Sequence, residues 1–201
     1  MAVVSLGIEK RRVFLHVQLM NFGFLWAMPI VCGVALFSGC QKPGNANANT
    51  NSPPVTNEQY HLNRAQRPLP TVKLWLGKEE LQTEVATTVT QVATGMMFRE
   101  KMGENEAMLF VFGTTDQRGF YMKNCKVPLS AAYIDPEGTI LEIVSLHPGV
   151  EAPVTSQSDK VQYVLEVNQG WFERHKVPTN SVIRTERGTL RQSFAGQAML
   201  R

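Results

Sequence analysis

Phe120-Tyr-Met-Lys-Asn-Cys-Lys-Val-Pro-Leu-Ser-Ala-Ala-Tyr133 places an ammonium, an amide and a thiol between two apolar runs of strand length. Leu129 to Ile134 after it and Met108 to Phe112 before it read as buried strands, because short continuous apolar runs between turn signals suit a sheet covered on both faces. Polar groups set between such runs serve either a ligand or a network that ties strands together, since an unpaired buried charge costs several kcal/mol.

Working outward, strand signals continue on both sides. Thr71-Val-Lys-Leu-Trp-Leu76 alternates, Gly77-Lys78 is a turn, and Leu81 to Val89 alternates again, which predicts a hairpin. Thr90 to Phe98 reads as a short helix with Val92, Met96 and Met97 on its apolar side. Phe120 to Met122, Leu129 to Ile134, Thr139 to Leu146, Val161 to Val167 and Ser181 to Arg184 complete the strand series, with Asp135-Pro-Glu-Gly138 as a turn and one or two helical turns within Gln169 to Lys176. Strands of this length and spacing predict a mainly β domain, a compact barrel-like or sandwich β fold with one or two short helices, with α+β as the other option.

The rest of the chain divides on composition. Glu9-Lys10-Arg11-Arg12, the apolar run Val13 to Phe37 and Ser38-Gly39-Cys40 have the basic, apolar and small-residue parts of a secretory signal. The ending Leu36-Phe37-Ser38-Gly39-Cys40 resembles a bacterial lipobox, which implies a lipidated, membrane-anchoring Cys40 at the mature N-terminus and a signal peptide over residues 1–39. The apolar run also approaches the ~20 residues that cross a bilayer, so an uncleaved anchor is the alternative. Either reading puts the domain outside the cytoplasm, because the positive flank stays inside. Gln41 after the Cys favours the outer membrane by resemblance to enterobacterial sorting. Residues 40–70, with Asn-Ala-Asn-Ala-Asn-Thr-Asn-Ser-Pro-Pro54, bury too little to order themselves and are predicted as a tether. The folded domain is expected over residues 71–184, and residues 185–201 as a tail without elements.

Charge narrows the partners. The net charge of +3 falls to +1 once the leader is set aside, and no basic stripe with interleaved aromatics is left, so nucleic acid is not an expected partner. Of Cys32, Cys40 and Cys125, only Cys125 lies in the domain, which leaves no internal disulfide there. His147 and His175 belong to no paired-ligand motif, and neither a metal nor a cofactor is expected.

The order of several blocks then carries a resemblance. Gly95-Met-Met-Phe-Arg99, Met108-Leu-Phe-Val-Phe112, Phe120-Tyr-Met-Lys-Asn124, Pro128-Leu129, Ile134-Asp135 with Gly138, and Tyr163-Val-Leu-Glu166 with Gly170 resemble domain-of-unknown-function family 192 of bacteria and archaea. The resemblance implies a compact, mainly β domain, often secreted or membrane-tethered, with no assigned activity. Cys125 and Ser130 stand where that family commonly has Thr and Asp.

Lys123 and Asn124 are the leading binding candidates, because an ammonium beside an amide suits an anionic or polyhydroxylated ligand. Glu166, inside an apolar strand, must find a cation or shift its pKa upward; Asp135 is a second carboxylate, and Arg99 is the cation the family pattern brings within reach. These five residues support an envelope-tethered, non-enzymatic module that binds a small polar or anionic ligand or a partner protein. The alternatives are an envelope hydrolase or carbohydrate-active enzyme using Glu166 or Asp135 as general acid or base, and a purely structural envelope factor.

Overall fold

The computed structural model describes residues 2–3 and 60–196. The chain divides into one unit of Met1–Ile8 with Val55–Arg201 and another of Glu9–Pro54. The predicted cut site, Cys40 and most of the predicted tether lie outside the described residues. No helix among the described residues is long and apolar enough to cross a membrane.

Strand β1 (Ala2–Val3) is followed by β2 (Thr71–Leu76) and β3 (Glu79–Ala86), which form the predicted hairpin with Leu76 opposite Glu79. The two-residue connection needs a corner that Gly77 supplies at φ 64°. Helix α1 (Val89–Thr94) starts one residue earlier than the sequence pattern suggests, because Thr88 and Gln91 form a reciprocal capping box. The helix ends at Gly95, at φ 46°.

From α1 the chain crosses back to lay β4 (Glu106–Asp116) parallel to β3, with Val85 opposite Leu109. Parallel neighbours require such a crossover, and the helix supplies it. The remaining elements are β5 (Gly119–Phe120), β6 (Leu129–Ile134), β7 (Ile140–Leu146), β8 (Val154–Thr155), β9 (Val161–Asn168), α2 (Trp171–Arg174), β10 (Ile183–Thr185), β11 (Gly188–Thr189) and α3 (Leu190–Phe194). Eight strands form a mixed sheet in the order β11-β10-β2-β3-β4-β9-β6-β7, and β1-β5-β8 form a small second sheet.

The apolar runs of β4, β6 and β9 are continuous because a core lies on each face of the large sheet. Met108, Phe110 and Phe112 join Met96, Phe120 and Tyr133 in one cluster, whereas Leu109 and Val111 join Leu74, Leu165, Trp171 and Phe194 in the other. In the first cluster Phe110, Phe120 and Tyr133 stack edge to face in series, at 5.0 and 6.2 Å between centroids. Such pairs add about 0.5–1.5 kcal/mol each beyond their buried area. The buried Tyr133 hydroxyl donates to the Val154 carbonyl at 2.6 Å, which satisfies the phenol and ties β6 to β8.

The large sheet curls until β7 meets β10. Ile140 N–H donates to the Ser181 carbonyl at 2.9 Å and Ile183 N–H to the Gly138 carbonyl at 2.9 Å. Pairing there amounts to one isolated bridge, Thr139 with Val182, rather than a ladder, so the sheet does not close into a barrel and the sandwich-like description fits.

Both ends of the ordered domain extend past the expected limits of residues 71 and 184. Gln66 is buried and donates to the carbonyls of Gln91 and Gly95, at 3.2 and 2.9 Å, so the segment before β2 is packed on α1. After Thr185, Thr189 and Gln192 form a second capping box, and Leu190 and Phe194 enter the second core. Two apolar residues four apart are too weak a period to register as a helix, but they are enough once a core is there to receive them.

Candidate functional site

The segment that opened the sequence reading folds as a strand, a turn and a strand. After β5, Met122 N–H donates to the Val150 carbonyl at 2.8 Å, and Cys125 N–H closes the turn on the Met122 carbonyl at 3.2 Å. Asn124 takes the left-handed corner at φ 57°, a conformation Asn tolerates better than other non-glycine residues. Its carbonyl accepts from Phe98 N–H at 2.8 Å, and an ion pair between Lys126 and Glu100 runs alongside. The turn therefore presents an exposed Asn124 and a half-buried Lys123 on a backbone fastened to two other loops.

Glu166 lies on β9 between Met108 of β4 and Ala131 of β6 and is fully buried. Cross-strand neighbours share a face, so its carboxyl is on the side of the first core. Burial pushes its pKa up, with the positive charge of Arg99 pulling the other way.

Asp135 is occupied in its turn. Its Oδ1 accepts from the N–H groups of Glu137 and Thr139, at 2.9 and 2.8 Å, and β6 separates it from Lys123 and Asn124 by about 20 Å at ~3.3 Å per residue. Arg99 forms a two-pronged pair with Glu84, Nη1 to Oε1 at 2.5 Å and Nη2 to Oε2 at 2.8 Å. Leu69 N–H adds a third donor to Glu84 at 2.7 Å. Burial alone would raise the Glu84 pKa, but the hydrogen bonds from Arg99 and Leu69 hold it below the ordinary carboxylate value. This pair borders a cavity of about 210 Å³ with Lys101, Met102 and Glu106.

Sequence reading passed over two further clusters. Arg118 is buried just before β5, with its guanidinium 4.1 Å above the Phe112 ring and Nη2 donating to the Thr114 carbonyl at 2.5 Å. Burial lowers its pKa, with Asp116 opposing. Its backbone exchanges bonds with Ser156, which anchors β5 beside β8. Near α2, His175 stacks on Trp171 at 4.4 Å and places Nδ1 2.8 Å from Glu79 and Nε2 3.1 Å from Glu104, which also holds Arg174. Glu79 and Glu104 are far from His175 in sequence, so no local spacing could signal the cluster. A cavity of about 480 Å³ opens beside it, lined in part by Lys78, Lys176 and Val177. Among the described residues no group of three His, Cys, Asp or Glu side chains is placed to hold a metal ion.

Ser130 accepts from Gly170 N–H at 2.9 Å and so fastens the start of α2 to β6. Comparison with known families finds residues 72–185, from β2 through β10, matching DUF192, described as "Uncharacterized ACR". The chain belongs to the DUF192 family. Two solved structures share the fold. A protein from Sinorhizobium meliloti 1021, described as a candidate transcription regulator, is 31% identical, with a TM-score of 0.56 over 60% of this chain and 98% of its own. A protein of unknown function from Novosphingobium aromaticivorans DSM 12444 is 26% identical, with a TM-score of 0.55 over 60% of this chain and 91% of its own. No curated protein matches the chain. The DUF192 match ends at Thr185, so β11 and α3 extend the domain past the matched region.

Proposed function

We propose that this DUF192 chain is a lipid-anchored, extracytoplasmic binding domain that captures a partner polypeptide on the edge presented by Lys123 and Asn124. The observation that carries the reading is the fastened turn at Lys123 and Asn124. An exposed amide and a half-buried ammonium, held on backbone bonded to Phe98 and Val150, form a preorganised polar contact. Catalysis by the candidate carboxylates is the weaker reading. Asp135 spends an oxygen on turn amides and Glu166 is fully buried on β9, whereas a hydrolase needs an acid and a base facing one substrate.

The anchor rests on the leader: a basic start, an apolar run and the Cys40 ending supply the tether, and Gln41 favours the outer membrane. Mass spectrometry of membrane-extracted protein should find an acylated Cys40 as the first residue, and an intact Met1 would overturn that part. For the contact face, a photo-crosslinking residue at position 124 in cells should give one discrete protein adduct, and the same residue at the exposed position 137 should give none. Equal labelling from both positions, or none from 124, would overturn the contact face. Protection of Lys123 by a small anion without a protein adduct would assign the face to a small polar ligand and overturn the polypeptide reading.

A further inference from the structure

We propose that the cavity between the β2–β3 turn and the connection from α2 to β10 is a binding site for a phosphate ester, held by the ammonium groups of Lys78 and Lys176. It is built from other elements than the Lys123–Asn124 edge and stands or falls independently of it.

The cavity holds about 480 Å³, within the range of roughly 300–1,000 Å³ typical of small-ligand sites. Its charged lining sets Lys78, Arg174 and Lys176 against one carboxylate, Glu79. Internal bonds use up part of that charge. Glu79 is taken by His175 Nδ1 at 2.8 Å, and Arg174 is taken by both oxygens of Glu104, at 3.0 and 2.9 Å. Lys78 and Lys176 are left for a ligand. The Lys78 ammonium lies 3.7 Å from Glu79 on a side chain 91% exposed, and a pair of that kind contributes little in water. Among the described residues Lys176 has no carboxylate partner.

Lys176 also stands where a lysine costs stability. Helix α2 ends in a Schellman motif: Val177 N–H donates to the Phe172 carbonyl at 2.8 Å, Lys176 N–H donates to the Glu173 carbonyl at 3.1 Å, and Val177 and Phe172 share the second core. The residue after the cap in that motif must be left-handed, and glycine is the usual one; here Lys176 takes φ 55°. A cationic side chain kept against that backbone cost, on the wall of a cavity with excess positive charge, points to use of its charge on an anion.

The donors set the chemistry of the occupant. An ammonium offers three N–H donors and no acceptor, and lysine binds phosphate as a point charge. Ser181, also in the lining, adds a hydroxyl. The volume exceeds what a bare ion fills, and the His175 ring, stacked on Trp171 at 4.4 Å, gives an attached organic group a firm wall. The occupant is therefore a phosphate bearing a small polar group, a chemistry shared by soluble phosphate esters and phospholipid headgroups.

The domain can be tested alone, because the two solved relatives consist almost wholly of it. Isotope-labelled residues 55–201 would be titrated with glycerol 3-phosphate at low salt and followed by NMR. The amides of Lys78 and Lys176 should shift saturably, with a Kd of about 1 mM or tighter, and the affinity should fall as salt is added. Lys176→Gly should raise Tm by about 2 °C, because it relieves the backbone, and yet weaken binding roughly fivefold. Lys78→Ser should weaken binding by a similar factor, and Lys160→Ser, at an exposed position between β8 and β9, should leave it unchanged. Vesicles of phosphatidylglycerol that bind wild type but not Lys176→Gly would support the site with a lipid headgroup as its ligand. Binding of glycerol 3-phosphate without vesicle binding would support it with a soluble ester. No saturable shift in the folded domain, equal binding of glycerate, or unchanged affinity in Lys176→Gly would overturn the proposal.

Discussion

Replacing Glu84 with Gln should cost about 2–3 kcal/mol at neutral pH. Both side chains of the Glu84–Arg99 pair are mostly buried, at 17% and 19% exposure, and they share two short bonds. Removing one partner from a fully buried pair costs about 3–5 kcal/mol, because the other charge is stranded, whereas exposed pairs are worth about 0–1 kcal/mol. A pair this enclosed falls nearer the upper case, and Gln keeps one acceptor for Leu69 N–H. For a domain of this size the loss corresponds to a fall in Tm of roughly 10 °C. The pH dependence has a definite sign. The folded-state pKa of Glu84 is depressed below its ordinary 4.5, so its contribution is complete above about pH 4.5 and is lost as pH falls through the folded value. Thermal melts of wild type and Glu84→Gln from pH 7 to pH 3 should therefore converge toward acid. A double variant, Glu84→Met with Arg99→Met, should regain at least half the loss at pH 7, because neither charge is then stranded. A difference in Tm below about 2 °C at pH 7, or one that stays constant with pH, would refute the closed-pair account.

Other outcomes follow from the packing. At Gly138, φ is 90° and a Cβ would sit 2.9 Å from the Ile183 carbonyl where β7 meets β10, so Gly138→Ala should lower Tm by roughly 10 °C; Gly77→Ala, in open space at φ 64°, should cost no more than about a third of that. Differential scanning fluorimetry of the two variants decides it, and equal losses would contradict the meeting of those strands. Burial raises the Cys125 thiol pKa, with the Glu166 charge adding to it, so a disulfide reagent at pH 7.5 should label native protein at least a hundredfold more slowly than unfolded protein. Fast native labelling would show the turn to be open.

Most of the sheet was legible because its signals are local. The β2–β3 hairpin declared itself by alternation across Gly77-Lys78, and β4, β6 and β9 by apolar runs that need cover on both faces. The parallel pairing of β3 with β4 was not legible, since it depends on where α1 carries the chain. Nor was α3, whose two apolar anchors have no meaning until the second core exists. The candidate site was readable as a set of residue types and less as an arrangement. Lys123 and Asn124 do share a fastened turn, but Asp135 is spent on its own hairpin and Arg99 on Glu84, a partner that sequence spacing did not indicate. Arg118 escaped notice because nothing in Gln117-Arg118-Gly119 separates an arginine laid over Phe112 from one in solvent.

The most direct test of the binding account is photo-crosslinking from position 124 in native membranes, with the exposed position 137 as the control. The account predicts one discrete partner adduct from position 124 and none from position 137. Equal labelling from both positions, or no adduct at all from position 124, would contradict it.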